Sequence, residues 1–257
     1  MMYRLLKFMR RSFATQFYQK YQTIDLKAPI VSFTFDDSYG CTFDHAGDLL
    51  WQREFHGTFY VSFKFLGLKS QPNFQLAQLK RIVNQGHEIG CHTYGHIDLS
   101  QISRAKAIQD IEYNQHRLSQ LFPGMKFQNF SFPFGSETYP LKKFVGKQFL
   151  SARGNRPGLN FGNVDMANLK SIKLYEQKYS IKDIEHKLDM ALHHNAWIIF
   201  HTHDVQKEYT QYGCSPEYFD QVLKSCEIRS MAVRSIDEAQ TLLYKPIQKL
   251  HFAQVGS

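Results

Sequence analysis

Short apolar runs rich in β-branched and aromatic residues alternate along this chain with longer stretches of helical periodicity. Ile30 to Phe35 (IVSFTF) predicts a buried strand, and Thr42 to Glu54 a helix after it. Gly57 to Ser62 is strand-like, Leu76 to Asn84 helical, and Glu88 to Cys91 a short strand. Arg104 to Leu121 carries the longest helical pattern. Phe127 to Phe132 and Leu150 to Arg153 predict strands, Ile181 to His194 a helix, and Trp197 to His201 a strong strand. Pro216 to Cys226 predicts a helix, Ala232 and Val233 a short strand, and Ile236 to Leu243 a closing helix. Strands that alternate with helices imply βαβ units and a parallel sheet; about seven of them predict a barrel-like α/β fold. In that architecture catalytic residues sit at the C-terminal ends of strands and in the loops that follow.

No low-complexity linker or internal repeat divides the pattern, so residues 28–245 predict one domain, followed by a tail at 246–257. Residues 1–27 differ. Leu5, Met9, Phe13 and Phe17 recur at i, i+4 spacing and predict an amphipathic helix. Arg4, Lys7, Arg10 and Arg11 break its apolar stretches, so it matches neither a secretory signal nor a membrane span. A basic amphipathic helix can lie on an anionic membrane, which makes residues 1–24 a candidate peripheral contact. Packing of that helix on the domain is the plainer alternative. The expected location is cytoplasmic, with the inner membrane face as the place of any such contact.

Composition changes this picture little. With 43% hydrophobic and 21% charged residues, the chain is of the ordinary soluble globular kind and long enough to bury a full core. The net charge of +8 favours anionic surroundings. No basic run with interleaved aromatics lies beyond the N-terminus, so no nucleic-acid partner is expected. Cys41, Cys91, Cys214 and Cys226 form no CxxC pair, which excludes a cysteine zinc motif and predicts free, mostly buried thiols.

Three clusters fall at predicted strand ends. Thr34-Phe35-Asp36-Asp37 places two adjacent carboxylates after an apolar strand, where burial without partners is costly. Neighbours on a strand point to opposite faces, but a backbone turn at its end lets both reach one site in different roles. His92-Thr93-Tyr94-Gly95-His96 places two histidines at i, i+4, a spacing that chelates one cation from a helical turn. Ile198 to Asp204 (IIFHTHD) ends a strand in His201 and His203, which share a face. Each cluster has a bland alternative: an acidic turn, a chance pair among 12 histidines, a strand reaching solvent. Together they supply a carboxylate and two imidazoles for a cation that acidifies water, a second carboxylate to take the proton, and a histidine to protonate a leaving group.

These residues resemble the polysaccharide (NodB-like) deacetylases of carbohydrate esterase family 4. The family's T-F-D-D motif stands as Thr34 to Asp37, and its H-[ST]-x-x-H motif as His92 to His96. The resemblance implies a distorted (β/α) barrel and removal of an acetyl group, more often N- than O-linked, from an N-acetylated carbohydrate substrate. It implies Asp36 as catalytic base, with Asp37, His92 and His96 holding a divalent metal: Zn2+ first, with Co2+, Ni2+ or Fe2+ as alternatives. The R-x-P-[YF] motif is matched by Ser131 to Gly135, with Ser131 where Arg is usual; Phe134 matches the residue whose backbone N–H holds the oxyanion. Arg153, at the end of the next strand, is a candidate to orient the base instead. The closing L-x-H motif best matches His203 as general acid, with His201 the alternative. The Asp–Trp motif is not recognisable, and Asp165 is its weak candidate. The variant motifs look like a bacterial subgroup linked to surface-polysaccharide synthesis. Tyr212 to Glu217 is a candidate loop at the site, with a Gly-Pro turn before a helix as the plainer account. A non-catalytic carbohydrate-binding descendant of the fold is the alternative, and the absent motif Arg is its best support.

Overall fold

The computed structural model describes residues 18–37, 39–70 and 73–244. The helix pattern ending at Phe17 and the tail at 246–257 lie outside the described residues. Among the described residues no helix is long and apolar enough to cross a membrane.

Seven parallel strands form one curled sheet in the order β6-β5-β4-β3-β2-β9-β8. They are β2 (Ile30–Phe35), β3 (Thr58–Val61), β4 (Glu88–Cys91), β5 (Asn129–Ser131), β6 (Ser151–Arg153), β8 (Ile172–Lys173) and β9 (Trp197–Thr202). β10 (Ala232–Val233) pairs with the first half of β2, and β3 with its second half. The sheet's outer strands, β6 and β8, are linked through residues 166–169. Ala152 N–H donates to Met166 O, Leu169 N–H to Ala152 O and Gly154 N–H to Leu169 O, at 2.8, 2.8 and 3.0 Å. The fold is the distorted (β/α) barrel that the sequence predicts.

Helices α1 (Gly40–Trp51), α2 (Leu76–Asn84), α3 (Arg104–Leu121), α5 (Ile181–His193), α6 (Pro216–Ile228) and α7 (Ile236–Tyr244) match the predicted helices within a few residues. Three strands and a helix were not predicted. β1 (Tyr21–Ile24) pairs antiparallel with β7 (Gly162–Asp165), β8 is two residues long, and α4 spans Tyr139–Gln148. β1 lies in the segment that the sequence places before the domain. The short strands YQTI, GNVD and IK lack the apolar run that marks the others.

The sheet has two chemically different faces. Val31, Phe33 and Phe35 of β2, Phe59 and Val61 of β3, and Ile198 and Phe200 of β9 join the apolar core under the helices. Their alternates point into the barrel, by the period of two along a strand. Those inward residues are Ser32, Thr34 and Asp36; Thr58, Tyr60 and Ser62; Glu88 and His92; Asn129 and Ser131; Ser151 and Arg153; Ile199, His201 and His203. Most of this interior is polar, and side-chain hydrogen bonds hold much of it together. Trp197 Nε1–H donates to Ser32 Oγ (2.9 Å), Thr58 Oγ1 to a Glu88 carboxylate oxygen (2.8 Å), and Gln240 Nε2 to Asn129 Oδ1 (2.6 Å). Tyr60 fills the middle of the barrel because position 90 is glycine: a Cβ there would stand 2.4 Å from the Tyr60 ring.

The four cysteines are free, as expected, with Cys91, Cys214 and Cys226 buried.

Candidate active site

The inward rows end at the C-terminal side of the sheet in a cleft of about 370 Å³, whose lining includes Asp36, Asp37, His92, His96, Phe134, Arg153, His201 and His203. All seven residues singled out from the sequence therefore meet in one place, with His201 beside them.

Asp36 continues the inward row of β2. Asp37 would point away, but its φ of 65° turns the chain and brings its carboxylate back to the cleft. Left-handed backbone is strained for a residue with a Cβ. Thr93, His96 and Phe134, at 63°, 47° and 56°, share it, so four such residues border this one site.

Asp37 Oδ1 lies 3.3 Å from His92 Nε2 and 2.8 Å from His96 Nε2. Despite these contacts the buried Oδ1 has no hydrogen-bond partner. His92 Nδ1 lies 2.9 Å from the Ser131 carbonyl, which accepts its proton and leaves Nε2 as a lone pair toward Asp37. An orphaned carboxylate oxygen facing two imidazole nitrogens fits a cation, and ligand atoms of the three residues all lie within 4.8 Å of one another. Burial pushes the Asp37 carboxyl up; contacts with His92 and His96 reverse this and hold it well below its ordinary value.

His92 and His96 do not stand on a helical turn, as their spacing predicted. Residues 92–98 form a loop after β4. Positive φ at Thr93 and His96 folds that loop so that both rings converge, with centroids 5.1 Å apart. Asp110 of α3 holds the loop: Oδ1 accepts from Tyr94 N–H at 2.8 Å and from Gly95 N–H at 3.1 Å. Nothing local in the sequence marks Asp110, because the contact spans 16 residues and joins two elements.

Asp36 is paired with Arg153. The Arg153 Nη2 lies 2.5 Å from Asp36 Oδ2 and from Ser131 Oγ, and Ser131 Oγ lies 3.3 Å from Asp36 Oδ1. Burial pushes the Asp36 carboxyl up, but the Arg153 guanidinium, aided by His92, holds it well below the carboxylate range. Arg153 thus reaches the carboxylate from β6, while Ser131 on β5 leaves room for it.

His201 is buried, with Nδ1 2.9 Å from Ser171 Oγ. Ser171 gives its own proton to Gly154 O at 2.7 Å, so His201 carries its proton on Nδ1. Burial, with the charge of Arg153, pushes the His201 pKa well below its ordinary value. His203 is more open, and its Nε2 lies 3.7 Å from Asp37 Oδ2. Tyr212 covers it at a ring distance of 5.4 Å and lines the cleft, while the rest of the 212–217 segment is the plainer turn into α6, which begins at Pro216. Phe134 lines the opposite side, 4.7 Å from the His96 ring. Asp165 is not a site residue. It sits on β7, where it binds the buried Lys142 ammonium at 2.5 Å and the Lys20 N–H at 2.9 Å.

A distorted barrel thus gathers, at its C-terminal mouth, a guanidinium-held carboxylate and an Asp–His–His group that could hold a cation. The family model described as polysaccharide deacetylase matches residues 23–147. That stretch contains the TFDD and HTYGH motifs. A curated relative, the uncharacterized protein YlxY of Bacillus subtilis (strain 168), is 28% identical over 109 residues, which are 42% of this chain and 32% of that protein. The match thus spans about a third of the curated relative's length. Among solved structures, the chitin deacetylase of Colletotrichum lindemuthianum shares the fold at a TM-score of 0.59 and 16% identity, covering 84% of this chain and 92% of that one. A family 4 carbohydrate esterase pseudoenzyme of Bacillus anthracis shares it at 0.58 and 15%, covering 83% and 66%. At 15–16% identity these structures show the shared fold.

Proposed function

We propose that this chain is a metal-dependent deacetylase that removes an N-linked acetyl group from a sugar of a bacterial surface polysaccharide or its precursor. The observation that carries the reading is the meeting, in one cleft, of an ionised Asp36 and the orphaned Asp37 Oδ1 ringed by His92 and His96. Two imidazoles and one carboxylate suit Zn2+, with Co2+, Ni2+ or Fe2+ as alternatives. When bound, such an ion supplies Lewis acidity and lowers the pKa of water.

The chain's own residues supply the rest. Asp36 takes the proton of the attacking water on a carboxylate oxygen, and Arg153 fixes the direction of that carboxylate. A carboxylate held this far below its ordinary range is a weak base alone, so turnover depends on the cation. The Phe134 backbone N–H donates to the developing oxyanion. His203 gives a proton from its ring to the departing amine. The burial of His201 and its tie to Ser171 make it the weaker candidate for that step. A cytoplasmic place of action, with membrane contact through residues 1–24, belongs to the same proposal and rests on sequence alone.

Bound metal and acetate release from N-acetylated oligosaccharides test this reading, with His92→Ala/His96→Ala as the control. One ion per chain and acetate release are expected from wild type only. The alternative, a non-catalytic carbohydrate-binding descendant, has Ser131 in its favour. A wild type that binds metal and N-acetylated oligosaccharide yet releases no acetate would select it.

A further inference from the structure

The chain leaves β9 at Thr202, makes an excursion through residues 205–211 and returns beside its start. Thr202 Oγ1 and His203 N–H both donate to Tyr212 O at 3.1 Å, and Cys214 N–H donates to Asp204 O at 3.0 Å. On the other side Gly213 O accepts from Glu176 N–H at 3.1 Å, and a Glu176 carboxylate oxygen accepts from Ser215 N–H and Oγ, each at 2.7 Å. Asp204 ties the excursion from within. It is fully buried, where a carboxylate is costly without donors. The loop supplies them: Thr210 Oγ1 donates to Oδ1 at 2.6 Å, and Thr210 N–H and Gln206 Nε2 donate to Oδ2 at 2.7 and 3.0 Å. Position 213 is glycine because a Cβ there would stand 2.3 Å from Asp204 O.

The side chain that this lacing presents to the cleft is Tyr212. Its ring centroid lies 5.4 Å from that of His203 and 5.8 Å from that of Tyr175, in tilted and edge-on arrangements. Tyr212 nevertheless stays 48% exposed while it lines the cleft, where Tyr175 is buried. The proton transfers and the cation set described above give Tyr212 no step. A ring whose backbone is fixed on both sides needs little further ordering when a ligand arrives. The negative face of such a ring attracts the positive C–H edges of an uncharged pyranose.

We propose that Tyr212 is a sugar platform, whose exposed ring packs on a pyranose of the N-acetylated substrate, and that Asp204 is the positioning residue that holds it there. The choice of a sugar as ligand rests on the deacetylase reading.

The test is calorimetric binding of N-acetylated trisaccharides of glucosamine, galactosamine and mannosamine. The protein is the zinc-loaded full chain carrying Asp36→Asn, so that no sugar is consumed during the titration. At least one trisaccharide should bind, and adding Tyr212→Ala should weaken it about tenfold. Tyr212→Phe and Tyr212→Trp should stay within about twofold, because the ring and not the hydroxyl makes the contact. Asp204→Asn and Thr210→Val should each weaken binding about three- to tenfold, and Thr210→Val does so without touching the buried acid. Bound zinc should stay at one ion per chain throughout. Binding of none of the three sugars, an affinity that survives Tyr212→Ala, or one that survives both Asp204→Asn and Thr210→Val overturns the proposal. So does a loss of zinc that accompanies the loss of affinity, which would make the loop a support of the metal ligands. Acetate release by wild type keeps the two readings apart. Tyr212-dependent binding without acetate release fails the deacetylase reading and leaves the platform standing; acetate release with binding indifferent to Tyr212 does the reverse.

Discussion

Arg153 Nη2 reaches both carboxylate oxygens of Asp36, each at 2.5 Å, from a strand four places away in the sheet from β2, whose end carries the acid. The same nitrogen touches Ser131 Oγ, so the hydroxyl at the motif position where Arg is usual flanks the direct contact of acid and guanidinium. The Arg153 guanidinium carbon also lies 5.3 Å from the Tyr60 ring centroid, which fixes it from below.

Arg153→Ala should therefore lower kcat for acetate release by about 100-fold or more, since a misdirected catalytic group alone costs on that order. Bound metal should stay near the wild-type level. Removing one partner of a buried pair also destabilises, by about 3–5 kcal/mol, and urea unfolding measures it. Arg153→Lys should keep the charge and recover only part of the rate. Wild-type turnover in Arg153→Ala would reject the pairing as functional.

Asp110 should act through the metal ligands. Its carboxylate holds the backbone of Tyr94 and Gly95 between the two histidines. Asp110→Ala frees that loop, so metal affinity should fall about 10–100-fold, as for other groups that orient ligands. Competition with a chelator reads this directly. Unchanged affinity would show that the strained φ values at Thr93 and His96 hold the loop unaided.

At the other end of the barrel, His87 and Glu88 predict an unusual dependence of stability on pH. Burial pushes Glu88 from 4.5 up to about 7. The folded state then keeps a proton that the unfolded chain releases, so this contribution is full below pH 4.5 and is lost as pH rises toward 7. Burial pushes His87 from 6.5 down to about 4, with Nδ1 accepting from Gly57 N–H and Nε2 donating to Gly47 O. That contribution is full above pH 6.5 and is lost as pH falls toward 4. The two slopes oppose each other in wild type. Glu88→Gln removes one, so its unfolding free energy should fall more steeply than wild type between pH 6.5 and 4.5. Parallel curves for the two proteins would contradict the assignment.

How much of this was legible in the sequence depends on the range of each signal. The core strands were, because IVSFTF and WIIFHT carry dense apolar runs. Their second face is masked by that density: the same strings alternate, with Ser32, Thr34 and Asp36 inward and Val31, Phe33 and Phe35 outward, and that alternation is what makes a polar barrel interior. α4 carries a faint signal, a proline in its first turn and Leu141 and Val145 at i, i+4. β1, β7 and β8 left none, since they are short and held by partners far along the chain. At the site, the paired aspartates and paired histidines were legible as residue types at strand ends. Their local geometry was not: the histidines converge through left-handed backbone rather than a helical turn, and Asp110, Ser171 and Tyr60 act only through long-range contacts. Arg153 was found because it ends a strand.

The central claim, that Asp36 is the base of a metal-dependent deacetylase, is tested most directly by Asp36→Asn. Bound zinc and acetate release from N-acetylated oligosaccharides are measured on the same preparations of wild type and variant. The account predicts one ion per chain in both and a loss of turnover of about 100-fold or more in the variant, the scale of a missing general base. Acetate release undiminished in Asp36→Asn would contradict it.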